Sequence, residues 1–151
     1  MKRLWRNQRD DPGTDDRGSA AIEAAILAPP LLALIALAVI GGRIQIAGAA
    51  IETAAHDAAR AASISRTASQ AQTNAYTAAG ATLNQQGLHC ASLTVTVDTT
   101  GFAVPVGQPA TVSASIVCVV DFHDLVADGM PGSKTLHASF VSVLDTFRTR
   151  A

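Results

Sequence analysis

The chain is poor in the residues from which large hydrophobic cores are built. Aromatic residues make up 4% of its 151 residues, charged residues 15%, and there are only two cysteines. A chain of this length and composition has room for one small domain beside any membrane segment. The sequence therefore predicts one domain of modest size.

The sequence also lacks the patterns that accompany catalysis and cofactor binding. No serine lies in a glycine-x-serine-x-glycine pattern, and no glycine-rich loop is spaced to hold phosphate. Asp121 and Asp124 lie on either side of His123, but no second motif completes a metal-ligand set. The four histidines are scattered: His56, His89, His123 and His137. We therefore expect no enzymatic activity, no metal and no small-molecule cofactor.

Positive charge is concentrated at the start of the chain, although the net charge is −1. Five Lys and Arg residues lie within the first 17: Lys2, Arg3, Arg6, Arg9 and Arg17. Positive residues beside a membrane span stay on the cytoplasmic side, so the N-terminus is predicted to be cytoplasmic and the rest exported. The alternatives are a nucleic-acid patch or a disordered tail. Trp5 is the only aromatic residue among these charges, which argues against binding of nucleic acid.

Residues 24–42 form an uncharged apolar run. As a helix the run is about 28 Å long, close to the hydrocarbon thickness of a bilayer, so it predicts a single-pass transmembrane helix. Pro29 and Pro30 predict a kink near Ala25 and Ile26. The alternative is a general secretory signal cleaved after residues 47–49, but such signals have apolar regions of only about 7–15 residues.

Glu23 lies at the edge of this run, and it would be the fifth residue of the mature chain if the chain is cut after Gly18. A carboxylate at a membrane edge is costly when alone, which favours a paired charge. The alternative is that Glu23 only reaches the cytoplasmic headgroups. The basic segment, Gly18, Glu23 and the apolar run together resemble a type IV prepilin signal. With the proline pair and the alanine-rich residues 54–62, the chain resembles the TadE-like family of minor pilins or pseudopilins.

This resemblance implies a non-catalytic role in assembly of a tight-adherence (Flp-type) pilus, in secretion and cell adhesion. It implies that a prepilin peptidase cuts after Gly18 and that Ser19 becomes the new N-terminus, so that its amino group can pair with Glu23. The implied partners are membrane lipid, the peptidase, other pilus-assembly subunits and sister pseudopilins. The implied location is the cell membrane, with the C-terminal domain extracellular or periplasmic. A second hypothesis is an uncleaved, membrane-anchored extracellular binding module unrelated to pili.

Beyond the span, the sequence predicts two alanine-rich helices. Apolar residues recur every three or four positions from Ile44 to Ala62, which predicts that the first helix continues to about Ser63. A second stripe begins at Ala68, and Gly87 is placed to end that helix. The small side chains of the first helix suit close packing, either against sister helices or against the protein's own domain.

After Gly87 the apolar period changes to two, which predicts antiparallel strands around Val95, around Ile116 and over residues 135–143. Cys90 and Cys118 lie on the predicted exported side, where a disulfide is expected. If the two cysteines were directly opposite each other in the sheet, the apolar residues of one strand would lie opposite the polar residues of the other. Either Cys90 therefore precedes its strand or a bulge shifts the register.

The predicted fold class is α+β: a long N-terminal transmembrane helix that extends outside, a second alanine-rich helix, and a small antiparallel β-sheet with a disulfide. The predicted divisions are a cytoplasmic leader (1–18), a transmembrane helix (19–43), an exported helical segment (44–87) and an exported β domain (88–151).

Overall fold

The protein combines two long helices with a three-stranded antiparallel sheet, as the sequence predicts. The computed structural model describes residues 16–125, 129 and 131–147. Residues 1–15 of the predicted leader lie outside this part. The elements, in order, are α1 Asp16–Ser63, α2 Ala68–Gln85, β1 Ser92–Asp98, a 3-10 helix Thr100–Ala103, β2 Ala110–Asp121, α3 Phe122–Leu125 and β3 Ser133–Leu144.

Helix α1 has 48 residues and contains the apolar run together with the alanine-rich segment behind it. It ends at Ser63, as predicted, and both Pro29 and Pro30 lie within its bounds. The predicted proline kink remains a prediction. The chain divides into two units, residues 1–39 and 40–151. In its described part, the first unit consists of the N-terminal half of α1, and all other elements belong to the second unit.

Helix α2 is capped at both ends by local hydrogen bonds. The hydroxyl of Thr67 accepts a hydrogen bond from the backbone N–H of Gln70, which satisfies one of the open donors of the first turn. At the other end Gly87 has a φ of 69°, and the N–H groups of Gly87 and Leu88 bond back to Asn84 and Leu83. This arrangement needs a left-handed residue after the helix, which explains the glycine.

Helices α1 and α2 are antiparallel and are joined by two polar contacts. The Thr82 hydroxyl of α2 donates to the Asp57 carboxylate of α1 at 2.7 Å, and the Asn74 amide of α2 donates at 2.9 Å to the hydroxyl of Ser65, two residues after the end of α1. The earlier residue of α2 thus meets the later position on the α1 side. The C-terminal end of α2 therefore lies beside the part of α1 that follows the apolar run.

The sheet has the strand order β1-β2-β3, with both pairs antiparallel. Alternate residues of each strand point toward the helices, which matches the predicted period of two. Val95 lies opposite Ile116, Val97 opposite Ala114, and Ile116 opposite Ala138, so the apolar positions of all three strands share one face. That shared face packs onto the helices and forms the core.

The register of β1 and β2 resolves the question of the cysteines. Leu93, not Cys90, lies opposite Cys118. Cys90 precedes β1, which begins at Ser92, so it reaches the bridge from outside the ladder. The first of the two predicted arrangements is confirmed, and the apolar faces agree without a bulge.

The helices contribute mainly alanine to the core. In the second unit of the chain, α1 buries one continuous face against α2 and the sheet, with exposures of 0–3%. The members of this face are Ala47, Ala50, Ile51, Ala54, Ala55, Ala58, Ala59 and Ala62. Small side chains let the three layers approach closely. The structure therefore decides between the two interpretations of this face: it packs on the protein's own domain, and sister helices cannot use it.

The two edges of the sheet differ. At the β1 edge, the Gln72 side chain of α2 donates to the carbonyl of Val95 at 2.7 Å and accepts from the N–H of Val97 at 3.1 Å. The amide group thus occupies the place of a neighbouring strand. The other edge is β3, which has 12 residues and carries the exposed side chains of Phe140 and Val143. Among the described residues, no further strand pairs with it.

Candidate functional site

From Ala24 to Val39, the described part of the first unit is a helix that is apolar on all sides. Every residue from Ala20 to Val39 is exposed, including Ile26 at 67% and Leu34 at 65%. A helix that is hydrophobic all round belongs in an apolar environment and not in water. The helix is also long and apolar enough to cross a membrane. These properties indicate that α1 is a membrane anchor.

The predicted processing residues lie at the start of this helix. Gly18 and Ser19 both lie within α1, close to its first described residue, Asp16. Cleavage itself remains a prediction.

Glu23 follows Ser19 by four residues on the same helix. Residues spaced by four lie on one face, about 6 Å apart along the axis. Glu23 is exposed, and no salt bridge to it occurs within the described part of the chain. The geometry therefore leaves the carboxylate open to a partner on the same face or on another subunit.

The disulfide joins the central strand β2 to the loop before β1. Cys118 is fully buried in β2, whereas Cys90 is half-buried in the loop that leads into β1. Their Cα atoms are 5.4 Å apart, within the range of ordinary disulfides. The N–H of Ala91 also donates to the carbonyl of Val119 at 2.7 Å. The bridge thus fastens the segment after α2 to the central strand, which confirms the predicted pairing.

A groove between α1 and β3 was not predicted from the sequence. Its walls include Glu52 and His56 on α1 and His137 and Phe140 on β3. The ring centroids of His56 and Phe140 are 4.5 Å apart, with the planes tilted by 60°. Farther along, Ser63 and Ile64 lie beside Val143 and Leu144 in a second open pocket. Strand β3 therefore runs alongside α1 in the same direction.

Two of the scattered histidines, His56 and His137, are brought into this groove. Within the residues that the structure describes, however, no three His, Cys, Asp or Glu side chains are grouped closely enough to hold a metal ion. Asp57 accepts a hydrogen bond from Thr82, and its other oxygen lies 3.6 Å from His56 Nδ1. The contact with Thr82 depends on how α2 folds back, which local spacing does not reveal.

Comparison with known proteins supports the interpretation of the N-terminal segment. Residues 18–60 match the family described as TadE-like protein, which confirms the resemblance predicted from the sequence. The matched segment includes Gly18, Glu23, the apolar run and most of the alanine-rich face. No curated protein and no solved structure gave a significant match to the chain. Because the family match ends at residue 60, α2 and the β-sheet lie outside the matched segment.

Proposed function

We propose that this protein is a TadE-like minor pilin or pseudopilin that takes part in assembly of a tight-adherence (Flp-type) pilus. The observation that carries the proposal is the family match over residues 18–60. The segment of α1 from Ala24 to Val39, which is exposed and apolar, supports it, because such a helix needs a membrane or the apolar interior of an assembly. The role is structural: the protein contributes a helix and a small folded domain, not a reaction.

In the proposed pathway, α1 inserts with its N-terminus in the cytoplasm and the second unit is exported. A prepilin peptidase then cuts between Gly18 and Ser19. The new amino group of Ser19 pairs with the carboxylate of Glu23, in the same chain or in a neighbouring subunit. Pairing lowers the cost of a carboxylate at the membrane edge. The disulfide supports the exported location, because such bonds persist in oxidising compartments.

The test compares two conservative substitutions on α1, Glu23→Gln and Glu52→Gln. Both glutamates are exposed, but Glu23 borders the apolar run whereas Glu52 lies far from it, so Glu52 serves as the matched control. In cells carrying only the variant, Glu23→Gln is expected to leave membrane insertion and processing intact while reducing pilus formation and co-purification with assembly partners. Glu52→Gln is expected to leave all four unchanged. Unchanged piliation with Glu23→Gln would exclude the pairing role.

The N-terminal residue of the purified protein provides the second readout. A mature protein that begins at Ser19, together with leader retention in Gly18→Leu, supports the prepilin interpretation. A mature protein that begins at Met1 would favour the uncleaved binding module instead. A start near Ala50 would indicate a general secretory signal.

A further inference from the structure

Strand β3 directs one set of its backbone groups away from the sheet. The N–H of Phe122 donates to the carbonyl of Gly132 at 2.9 Å, so this pair, one step beyond the β2–β3 ladder, is hydrogen-bonded. Bonded and non-bonded pairs alternate in an antiparallel ladder, so the even-numbered residues of β3 bond to β2. The odd-numbered residues therefore direct their N–H and C=O groups toward the open edge: Thr135, His137, Ser139, Val141 and Val143.

The opposite edge of the sheet has the same geometry, but its outward groups are bonded. Val95 and Val97 of β1 direct their backbone away from β2, and the Gln72 side chain bonds to both. Within residues 16–125, 129 and 131–147, no side chain makes such a hydrogen bond to the outward backbone groups of β3. The fold therefore covers one edge of the sheet and leaves the other open.

The open edge also lacks the features that usually keep an edge strand unpaired. Such edges are protected by charged side chains, by proline or by a bulge. Between Lys134 and Asp145 the chain has no Lys, Arg, Asp, Glu or Pro, and the register of β3 with β2 runs from Ser133 to Leu144 without a bulge. Val141 and Val143 are exposed there instead. Strand β3 thus has the properties of a strand that receives a partner.

The helix-facing side of β3 is incompletely covered at the same place. Leu136, Phe140 and Leu144 share this side of the strand, and the two leucines are buried whereas Phe140 is 41% exposed. The groove between α1 and β3 lies beside Phe140 and has a volume of about 530 Å³. A strand added at the edge would direct every second side chain toward this groove, where apolar side chains would cover the Phe140 ring.

We propose that β3 receives an extended segment of a partner protein as an additional strand. Main-chain hydrogen bonds to the odd-numbered residues of β3 hold the segment, and its alternate apolar side chains fill the groove beside Phe140. Because β3 offers no charged side chain between Lys134 and Asp145, the segment is uncharged where it pairs. This inference goes beyond the proposed function, since it depends neither on cleavage after Gly18 nor on pilus assembly.

A second copy of this chain fits the edge less well than such a segment. In a second copy the β1 edge is closed by Gln72 and β2 is internal, so its β3 would have to supply the strand. Antiparallel joining of two β3 edges into one continuous sheet would bring both α1 helices to the same side of that sheet, next to the groove. An extended segment without a helix of its own needs only the groove and the edge.

The experiment uses the full-length protein in lipid vesicles and three synthetic peptides that are matched in length. The first is acetyl-Lys-Thr-Val-Thr-Val-Thr-Val-Lys-amide, in which apolar side chains alternate. The second carries N-methyl groups on a central Val and the Thr beside it, which removes one donor from each edge of the peptide strand. The third has Ser in place of every Val. Binding is measured by titration, and amide hydrogen exchange locates the site.

The first peptide is expected to slow hydrogen exchange at Ser139, Val141 and Val143 by roughly tenfold or more, while exchange in β1 stays unchanged. The N-methylated peptide and the Ser peptide should each bind roughly tenfold more weakly. In the protein, Ser139→Pro removes one outward N–H and should weaken binding to a similar extent. Ser139→Ala keeps that N–H and should bind as the unchanged protein does.

Failure of the first peptide to bind, or binding that leaves exchange at β3 unchanged, would overturn the inference. Equal binding of the N-methylated peptide would show apolar docking without strand pairing, and equal binding of the Ser peptide would refute the role of the groove. Slow exchange at β3 without peptide that strengthens with the protein-to-lipid ratio would identify a second copy as the occupant, which also overturns it. If Ser139→Pro does not fold, the comparison of the peptides still decides.

Discussion

The side-chain amide of Gln72 offers a direct test of how the β1 edge of the sheet is hydrogen-bonded. Its two hydrogen bonds to the β1 edge measure 2.7 Å and 3.1 Å. An intramolecular hydrogen bond contributes about 0.5–1.5 kcal/mol net, so Gln72→Ala should lower the free energy of unfolding by about 1–3 kcal/mol. The loss should appear in denaturant unfolding of the purified protein in detergent. Hydrogen exchange should localise it, because the N–H of Val97 loses its acceptor and should exchange roughly tenfold faster for each 1.4 kcal/mol.

The matched control is Gln70→Ala, at an exposed position two residues earlier on the same helix. Gln72→Glu adds a second signature. Its carboxylate can accept from Val97 but faces the carbonyl of Val95, so the folded state should raise its pKa. The hydrogen bond to Val95 would then be present below the ordinary pKa of glutamate and lost as the pH rises through the raised value. If Gln72→Ala and Gln70→Ala are equally stable and Val97 exchanges at the same rate in both, the amide does not close the edge.

Two further predictions concern packing and the disulfide. A Cβ at Gly101 would overlap the carbonyl oxygen of Thr111, so Gly101→Ala should lower the free energy of unfolding by about 1–3 kcal/mol. The control Gly48→Ala, in open space within a helix, should be neutral or stabilising. Equal melting temperatures of the two variants would contradict this packing. Replacing Cys90 and Cys118 together by Ala should lower the free energy of unfolding by about 3.5 kcal/mol, from a sequence separation of 28, while leaving α1 inserted. Labelling of both thiols under denaturing, non-reducing conditions would show that the bond is absent.

Local patterns were sufficient to predict most of the elements. Three- and four-residue spacing marked α1 up to Ser63, alternation marked the strands, and Gly87 marked the end of α2, because each of these signals arises within a few residues of the chain. The pairing of the cysteines followed from their small number. The position of Cys90 could be narrowed to two arrangements, either before its strand or beside a bulge, since a one-residue slip would turn one apolar face outward. The structure has Leu93 opposite Cys118, which corresponds to the first arrangement.

Contacts between distant segments could not be predicted in the same way. Gln72 is one of several polar residues in α2, and nothing in its neighbours shows that it meets a strand 23 residues later. The contact of Thr82 with Asp57 likewise depends on the fold-back of α2. The destination of the alanine face was also open, because small side chains suit a sister helix and a sheet equally well. Only the assembled second unit decides these points.

The direction of β3 has a consequence for self-association. An unpaired strand edge with exposed Phe140 and Val143 is ordinarily a hazard, because two copies can join edge to edge. Since β3 runs alongside α1 in the same direction, an antiparallel union of two such edges would make the two α1 segments run in opposite directions. Their starts near Ile40 would then lie at opposite ends of the pair, and both could not enter one bilayer from the same side. Anchoring in one membrane would thus prevent antiparallel pairing of two β3 edges for as long as both copies remain anchored.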